Sequence, residues 1–482
     1  MTESSRSMLT AARRSGSSSV RRSLVGMVSV FAIVGLVASC APPPAPVVGA
    51  TGGGDPYFPA AGNGGYDVLN YKLTLDYAPA TRALAATAVI KANATSALST
   101  FSLDLRDLTV SKVKVDGRVA TFSQADGELV ITPDVALVQG QQFVVTVVYG
   151  GTTGQPEDNT GAFYGWVSYD DGAFVANEPE GASTWYPVND VPYDKATYKF
   201  SVTVPDGTTA VANGDLLSQS STAGKTTYKW LATDAMASYL SMVATGDYTL
   251  TSSVTPTGLK IIDAVDDDLS TEDQMAAAEV LALQPAMISF FESSFGPYPF
   301  TSFGAVIDDD TDAGYALENQ TRPIYSGVPS DSTVAHELAH QWYGNKVTLK
   351  QWKDIWLNEG FATYAAWMWD ESQGNGTIQE NFDYVLSIPE TNSFWTVPVA
   401  DPGAENLFDA ATYLRGGAFL QALRITIGDD AFAAMLLQWA GRSASVPVTT
   451  ADLLALSESL SGQELDGLFD AWLYQPTKPA AP

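Results

Sequence analysis

Residues 71–77 alternate strictly, with Tyr71, Leu73, Leu75 and Tyr77 interleaved by Lys72, Thr74 and Asp76, and Tyr198, Phe200, Val202 and Val204 repeat the pattern. A period of two buries one face of a strand, so both stretches predict half-buried β-strands, and residues 143–149 predict another. The β signature runs from about residue 65 to 250 and gives way after about 255 to helical spacing. Ser270-Thr271-Glu272-Asp273 reads as a capping-box-like start of a run through Phe291. Asp331 or Ser332 can cap a further helix that Gly344 can end, and a later one carries Glu359 toward Gln373, where Gly374 closes it. Leu465, Leu468, Phe469, Trp472 and Leu473 form the stripe of a helix packed on a core. The class predicted is α+β multidomain: an antiparallel β-sheet domain over 65–250, then a mostly helical domain over 251–482. No repeat at solenoid or propeller spacing appears.

The amino terminus follows another logic. Arg13, Arg14, Arg21 and Arg22 precede an apolar run over 24–38, too short for a comfortable membrane span, and Val37-Ala38-Ser39-Cys40 resembles a lipoprotein signal. Residues 1–39 are expected to be removed, by general secretory or twin-arginine export, leaving Cys40 acylated and the chain extracytoplasmic, anchored at a bacterial membrane or released from it. Cys40 is the only cysteine, so neither a disulfide nor a thiol nucleophile is available. Residues 40–64, rich in Pro, Gly and Ala, read as a tether. Loss of residues 1–39 takes the net charge from −29 to −33, a surface that repels phosphate backbones and argues against nucleic-acid binding. The acidic run at 308–310 reads as a solvated loop.

The chain has two histidines, His336 and His340, one helical turn apart with Glu337 after the first. Positions i and i+4 stack on one helix face, so both imidazoles can grip one tetrahedral zinc ion. The stretch 345–360, NKVTLKQWKDIWLNEG, offers a third ligand, assigned to Glu359, which follows His340 with eighteen residues between. Glu337 is then left as general base toward a zinc-bound water.

The run HELAHQWYGNKVTLKQWKDIWLNEGFATY at 336–364 resembles the zinc-binding core of the aminopeptidase N family of gluzincin metallopeptidases, which includes leukotriene hydrolase-like members. A metzincin needs a third histidine, and thermolysin-like endopeptidases normally spend one on the oxyanion; none remains here. The resemblance implies a saddle-like amino-terminal sheet domain, to which residues 185–200 are similar, and a thermolysin-like catalytic domain. It implies oxyanion stabilisation by Tyr413, in Tyr-Leu-Arg-Gly, with Arg415 where the family has lysine. It matches Tyr315-Ala316-Leu317-Glu318-Asn319 to the segment that binds the substrate's amino terminus, with Glu318 as amine anchor and Ala316 and Asn319 beside the substrate; Tyr315 and Leu317 replace glycine and methionine. Glu178, in Glu-Pro-Glu-Gly, is implied as the second amine contact, and Ala176 stands where relatives often have glutamine. Larger relatives carry a further carboxy-terminal helical domain, so a more open cleft is expected.

The activity implied is removal of N-terminal residues from peptides with a free amino terminus, by a monomer using one zinc ion. The alternatives are a broader zinc endopeptidase with an open cleft, an epoxide hydrolase activity alongside the peptidase, and a non-catalytic surface-binding protein, against which the intact ligands and base argue.

Overall fold

The computed structural model describes residues 44–156, 164–169, 171–310, 314 and 316–482. The expected signal, Cys40 with its lipid and Tyr315 lie outside these residues. The chain divides into Met1–Pro44 and Ala45–Pro482, and the description below concerns the second unit.

The predicted alternation is realised in strand Tyr66–Ala78, where Tyr71, Leu73, Leu75 and Tyr77 are buried while Lys72 and Thr74 face solvent. Its partner Ala196–Pro205 runs parallel to it, with Tyr71 opposite Tyr198 and Leu73 opposite Phe200, so both apolar sets fall on one face. That face is aromatic: Tyr71 stacks on Tyr198 at 5.0 Å and Tyr198 on Phe200 at 5.7 Å. These strands centre an eight-stranded sheet in the order Asp215–Thr222, Lys225–Met236, Ala196–Pro205, Tyr66–Ala78, Ala83–Ala94, Gln142–Thr152, Thr109–Val115, Arg118–Val119. Every other neighbouring pair is antiparallel, as expected. The central pair can be parallel because the intervening chain first builds most of the remaining strands, a crossover far longer than a hairpin.

A four-stranded sheet follows the order Gly165–Ser168, Ala173–Ala176, Val243–Gly246, Thr209–Ala212. All of Ala173–Ala176 is buried, and this strand runs directly into Asn177 and Glu178.

The later half contains the expected helices with a mixed sheet set among them. Strands Tyr248–Val254, Lys260–Asp266, Val306–Asp308, Ile324–Ser326 and Ala316–Leu317 form that sheet, with the short strand Ser302–Phe303 also paired to Lys260–Asp266. The helical run read from Ser270 is two helices, Thr271–Leu281 and Gln284–Phe295, because Pro285 in the first turn of the second cannot donate into a continuous ladder. Ser270 caps the first, its Oγ accepting from Asp273 N at 3.1 Å. Trp356–Gln373 ends at Gly374, in the left-handed conformation at φ 77°, as read from the sequence. Two apolar cores form; the first reaches into the later half through Val306, Ile324, Leu349 and Ile355, and within it Tyr239 of the first half contacts Trp352 of the second edge-on at 5.2 Å, a seam between the halves. The functional residues gather beside that seam.

Candidate metal centre

Helix Asp331–Ala339 is capped one residue earlier than expected, by Ser330, whose Oγ accepts from Thr333 N at 3.1 Å. It presents His336 and, at its C-cap, His340, with their Nε2 atoms 3.1 Å apart. Glu359, in the first turn of Trp356–Gln373, brings Oε2 to 3.2 Å from His336 Nε2 and 3.4 Å from His340 Nε2. Ligands on a tetrahedral shell of about 2.0–2.1 Å radius stand about 3.3 Å from one another, so this triangle has the dimensions of one face of a zinc shell. His340 Nδ1 lies 3.1 Å from the Tyr343 carbonyl oxygen; donating there leaves Nε2 with its lone pair free to bind a metal. The three residues therefore fit zinc in donor type and spacing, and His340 also in tautomer.

Charge in the cleft is one-sided. Burial would raise the Glu359 carboxyl, but His340 and His336 hold it down to about 2. Burial would lower His340, yet Glu359 and Glu318 push it up to about 10. His336 falls below the usual imidazole value, mainly through burial. Desolvation and the neighbouring carboxylates raise Glu178 and Glu337 well above the ordinary range, and desolvation carries Glu318 to about 7. Four carboxylates around two imidazoles favour positive charge between them.

The carboxylates reach beyond the triangle. Ligand atoms of Glu318, Glu337 and His340 lie within 4.8 Å of one another, as do those of Glu178, Glu318 and Glu359. Glu178 and Glu318 are 6% and 2% exposed, and each has an Oε1 with no hydrogen-bond donor. Glu180, the other glutamate of the Glu-Pro-Glu-Gly segment, is instead paired with Arg106 at 2.5 Å. Only Glu178 is left to meet an incoming cation.

Tyr413 lies on a π-helical turn, Ala411–Arg415, its ring nearly parallel to that of His336 at 6.1 Å. Burial and the four glutamates raise its phenol well above 10, so it carries its proton and can donate. The turn is brought close by two glycines: a Cβ on Gly360, next to Glu359, would stand 3.0 Å from Gly416 Cα. Arg415 points away from the cleft and donates to the carbonyls of Trp395 at 3.1 Å and Gln475 at 2.7 Å, clamping two later segments onto the turn.

The expected residues His336, Glu337, His340, Glu359, Glu318, Glu178 and Tyr413 are thus assembled in one place. Asn319 is fully buried and donates to the Leu240 carbonyl at 3.3 Å, which ties the segment after strand Ala316–Leu317 to the first half of the chain. Ala316 pairs with Tyr325 at the sheet edge and packs on the second core. Three supporting amides escaped the sequence reading. Asn345 and Gln341 donate to the Glu318 carbonyl at 2.7 and 3.3 Å, and Asn177, before Glu178, is held by Ser241 Oγ at 3.1 Å and by Trp185 Nε1 at 3.0 Å. Asn177 directly precedes Glu178 and Gln341 directly follows His340, the only signal that could have marked them.

Residues 281–472 match the family model described as Peptidase family M1 domain, and residues 68–240 match Peptidase M1 N-terminal domain. A probable aminopeptidase 1 of Sulfurisphaera tokodaii is 26% identical over 78% of this chain and 49% of its own length. An aminopeptidase N of Lactococcus lactis is 28% identical over 85% of this chain and 51% of its own length. The chain spans about half the length of these curated relatives. The solved structure of an M1 zinc metallopeptidase from Deinococcus radiodurans superposes with a TM-score of 0.82 at 28% identity, covering 89% of this chain and 98% of that one. A variant of that enzyme, also at TM-score 0.82, is bound to a Tyr-Ser-Ala substrate.

Proposed function

The chain belongs to the peptidase M1 family, and we propose that it is a zinc-dependent aminopeptidase that removes N-terminal residues from peptides with a free amino terminus. The observation that carries this reading is the pairing of a zinc-sized ligand triangle with two buried, donor-free carboxylate oxygens directly beyond it. His336, His340 and Glu359 would hold one zinc ion, which would supply Lewis acidity and lower the pKa of a nucleophilic water.

The chain's own side chains do the rest. Glu178 and Glu318 take the substrate ammonium in charge-assisted hydrogen bonds, which sets the scissile bond one residue from the amino terminus. Glu337, raised in pKa and 5% exposed, takes the proton of the attacking water and returns it to the departing amine nitrogen. The Tyr413 hydroxyl donates to the carbonyl oxygen as negative charge develops on it. Asn345 and Gln341 hold the Glu318 backbone so that its carboxylate is preorganised. The same reading keeps a lipid on Cys40 and the catalytic unit outside the cytoplasm.

Matched peptides with free and acetylated amino termini test this. Wild type should cleave only the free form, and Glu318→Ala should lower kcat/KM on it by about 10–100-fold, the worth of hydrogen bonds to a buried charge. Equal cleavage of free and acetylated peptides by wild type would establish the endopeptidase instead.

A further inference from the structure

Away from the cleft, carboxylates from the two halves of the chain converge a second time. Asp171 lies in the turn between strands Gly165–Ser168 and Ala173–Ala176, Asp266 ends strand Lys260–Asp266, and Asp268 follows two residues later. One carboxylate oxygen from each lies within 4.8 Å of the others. Asp266 is 0% exposed, and while its Oδ1 accepts from Asp268 N at 2.9 Å, its Oδ2 has no hydrogen-bond partner. Asp171 Oδ2 is likewise sealed from solvent, with no donor among the described residues.

A buried carboxylate oxygen without a donor costs the desolvation of a charge, and here one cluster holds two of them. Among the described residues the neighbouring charges offer no relief. The charges acting on Asp171 are Asp309, Asp268 and Asp247, those on Asp266 are Asp309, Asp171 and Asp308, and burial followed by these neighbours lifts Asp266 to about 7. Asp308 is already engaged: Tyr169 and Tyr248 hydroxyls donate to its Oδ2, and Asp310 N to its Oδ1 at 3.0 Å. It frames the cluster without entering it.

We propose that Asp171, Asp266 and Asp268 bind a calcium ion that staples Asp171, just before strand Ala173–Ala176 of the first half, to the strand end at Asp266 of the second. A hard cation suits a set made only of oxygens. Oxygens up to 4.8 Å apart span a shell of about 2.4 Å radius, the calcium–oxygen distance, and ligands drawn from separate turns suit calcium's irregular coordination better than the strict octahedron of magnesium. The exposed side of Asp268 leaves room for water to complete the shell. The staple sits upstream of both amine-binding glutamates, since Asp171 leads into the strand before Glu178 and the neighbouring Asp308 precedes the strand before Glu318.

Calcium titrated calorimetrically into the zinc-loaded full chain, in buffer freed of calcium over chelating resin, tests the proposal without reference to peptidase activity. One equivalent should bind, at least tenfold more tightly than magnesium, and raise Tm by a few degrees. Asp266→Asn should weaken binding at least about tenfold and abolish the rise, yet in calcium-free buffer match or exceed the wild-type Tm, because it removes an unpaired buried charge. Asp268→Asn, at an exposed position that the fold tolerates, should also weaken binding. Absence of one-equivalent binding, unchanged affinity in both variants, or magnesium binding as tightly as calcium would each overturn the assignment.

Discussion

Glu337 adjoins His336 in sequence yet stands outside the triangle that the imidazoles make with Glu359, and this decides what its loss should do. Glu337→Gln should keep stoichiometric zinc by elemental analysis while kcat falls by about 10²–10⁴-fold, the usual worth of a general base. Tyr413→Phe removes one donor aimed at developing charge, so kcat should fall about 10²–10³-fold with KM little changed in steady-state assays. The sequence made this level unusually legible where residue types are scarce. Two histidines at helical spacing leave almost no freedom, whereas Glu178 could be picked only through the family resemblance, because acidic residues are common here. What separates it from Glu180 is Arg106, more than seventy residues upstream, a pairing no local pattern reveals. Arg415 was visible as a replaced lysine, but the direction of its side chain, away from substrate and into backbone carbonyls, was not.

At the level of elements, the cleft depends on how closely the glutamate helix approaches the π-turn. Neither Gly360 nor Gly416 adopts a left-handed backbone; what they supply is missing volume, with the contact at 3.0 Å allowing no Cβ without displacement. Gly360→Ala should therefore cost about 1–3 kcal/mol in denaturant midpoints through overpacking. It should also lower kcat/KM, with zinc content retained, as Tyr413 shifts relative to Glu359. Long periodic elements were readable ahead of the structure, and strand Tyr66–Ala78 and helix Trp356–Gln373 follow their patterns closely. Strands such as Val306–Asp308 and Ala316–Leu317 were not, because two or three residues are too few to show a period. The 308–310 stretch read as solvated for the same reason: its charges were apparent, while the two tyrosines that bury Asp308 come from elsewhere in the chain.

For the molecule as a whole, the excess of acid reaches the interior. Burial lifts Asp190 to about 6 and Asp194 to about 7, so between roughly pH 4 and 7 the folded chain holds protons that the unfolded chain has released. Uptake of protons on folding means that each such group lowers stability as pH rises through that window, by up to about 1.4 kcal/mol per unit for a full proton. Asp194→Asn should consequently gain stability relative to wild type from pH 4 to 7, measured by denaturant unfolding; a constant difference would show that Asp194 does not titrate there. The sheet-then-helix order of the halves was legible from periodicity, but the seam was not, since Tyr239 and Trp352 meet across more than a hundred residues. The pair of rings with Nε2 atoms 3.1 Å apart has a practical corollary. Since these are the chain's only imidazoles, isotope-labelled histidine would place two sets of ring resonances in the magnetic resonance spectrum of a 51.1 kDa protein, a background-free report on occupancy and exchange at the ion.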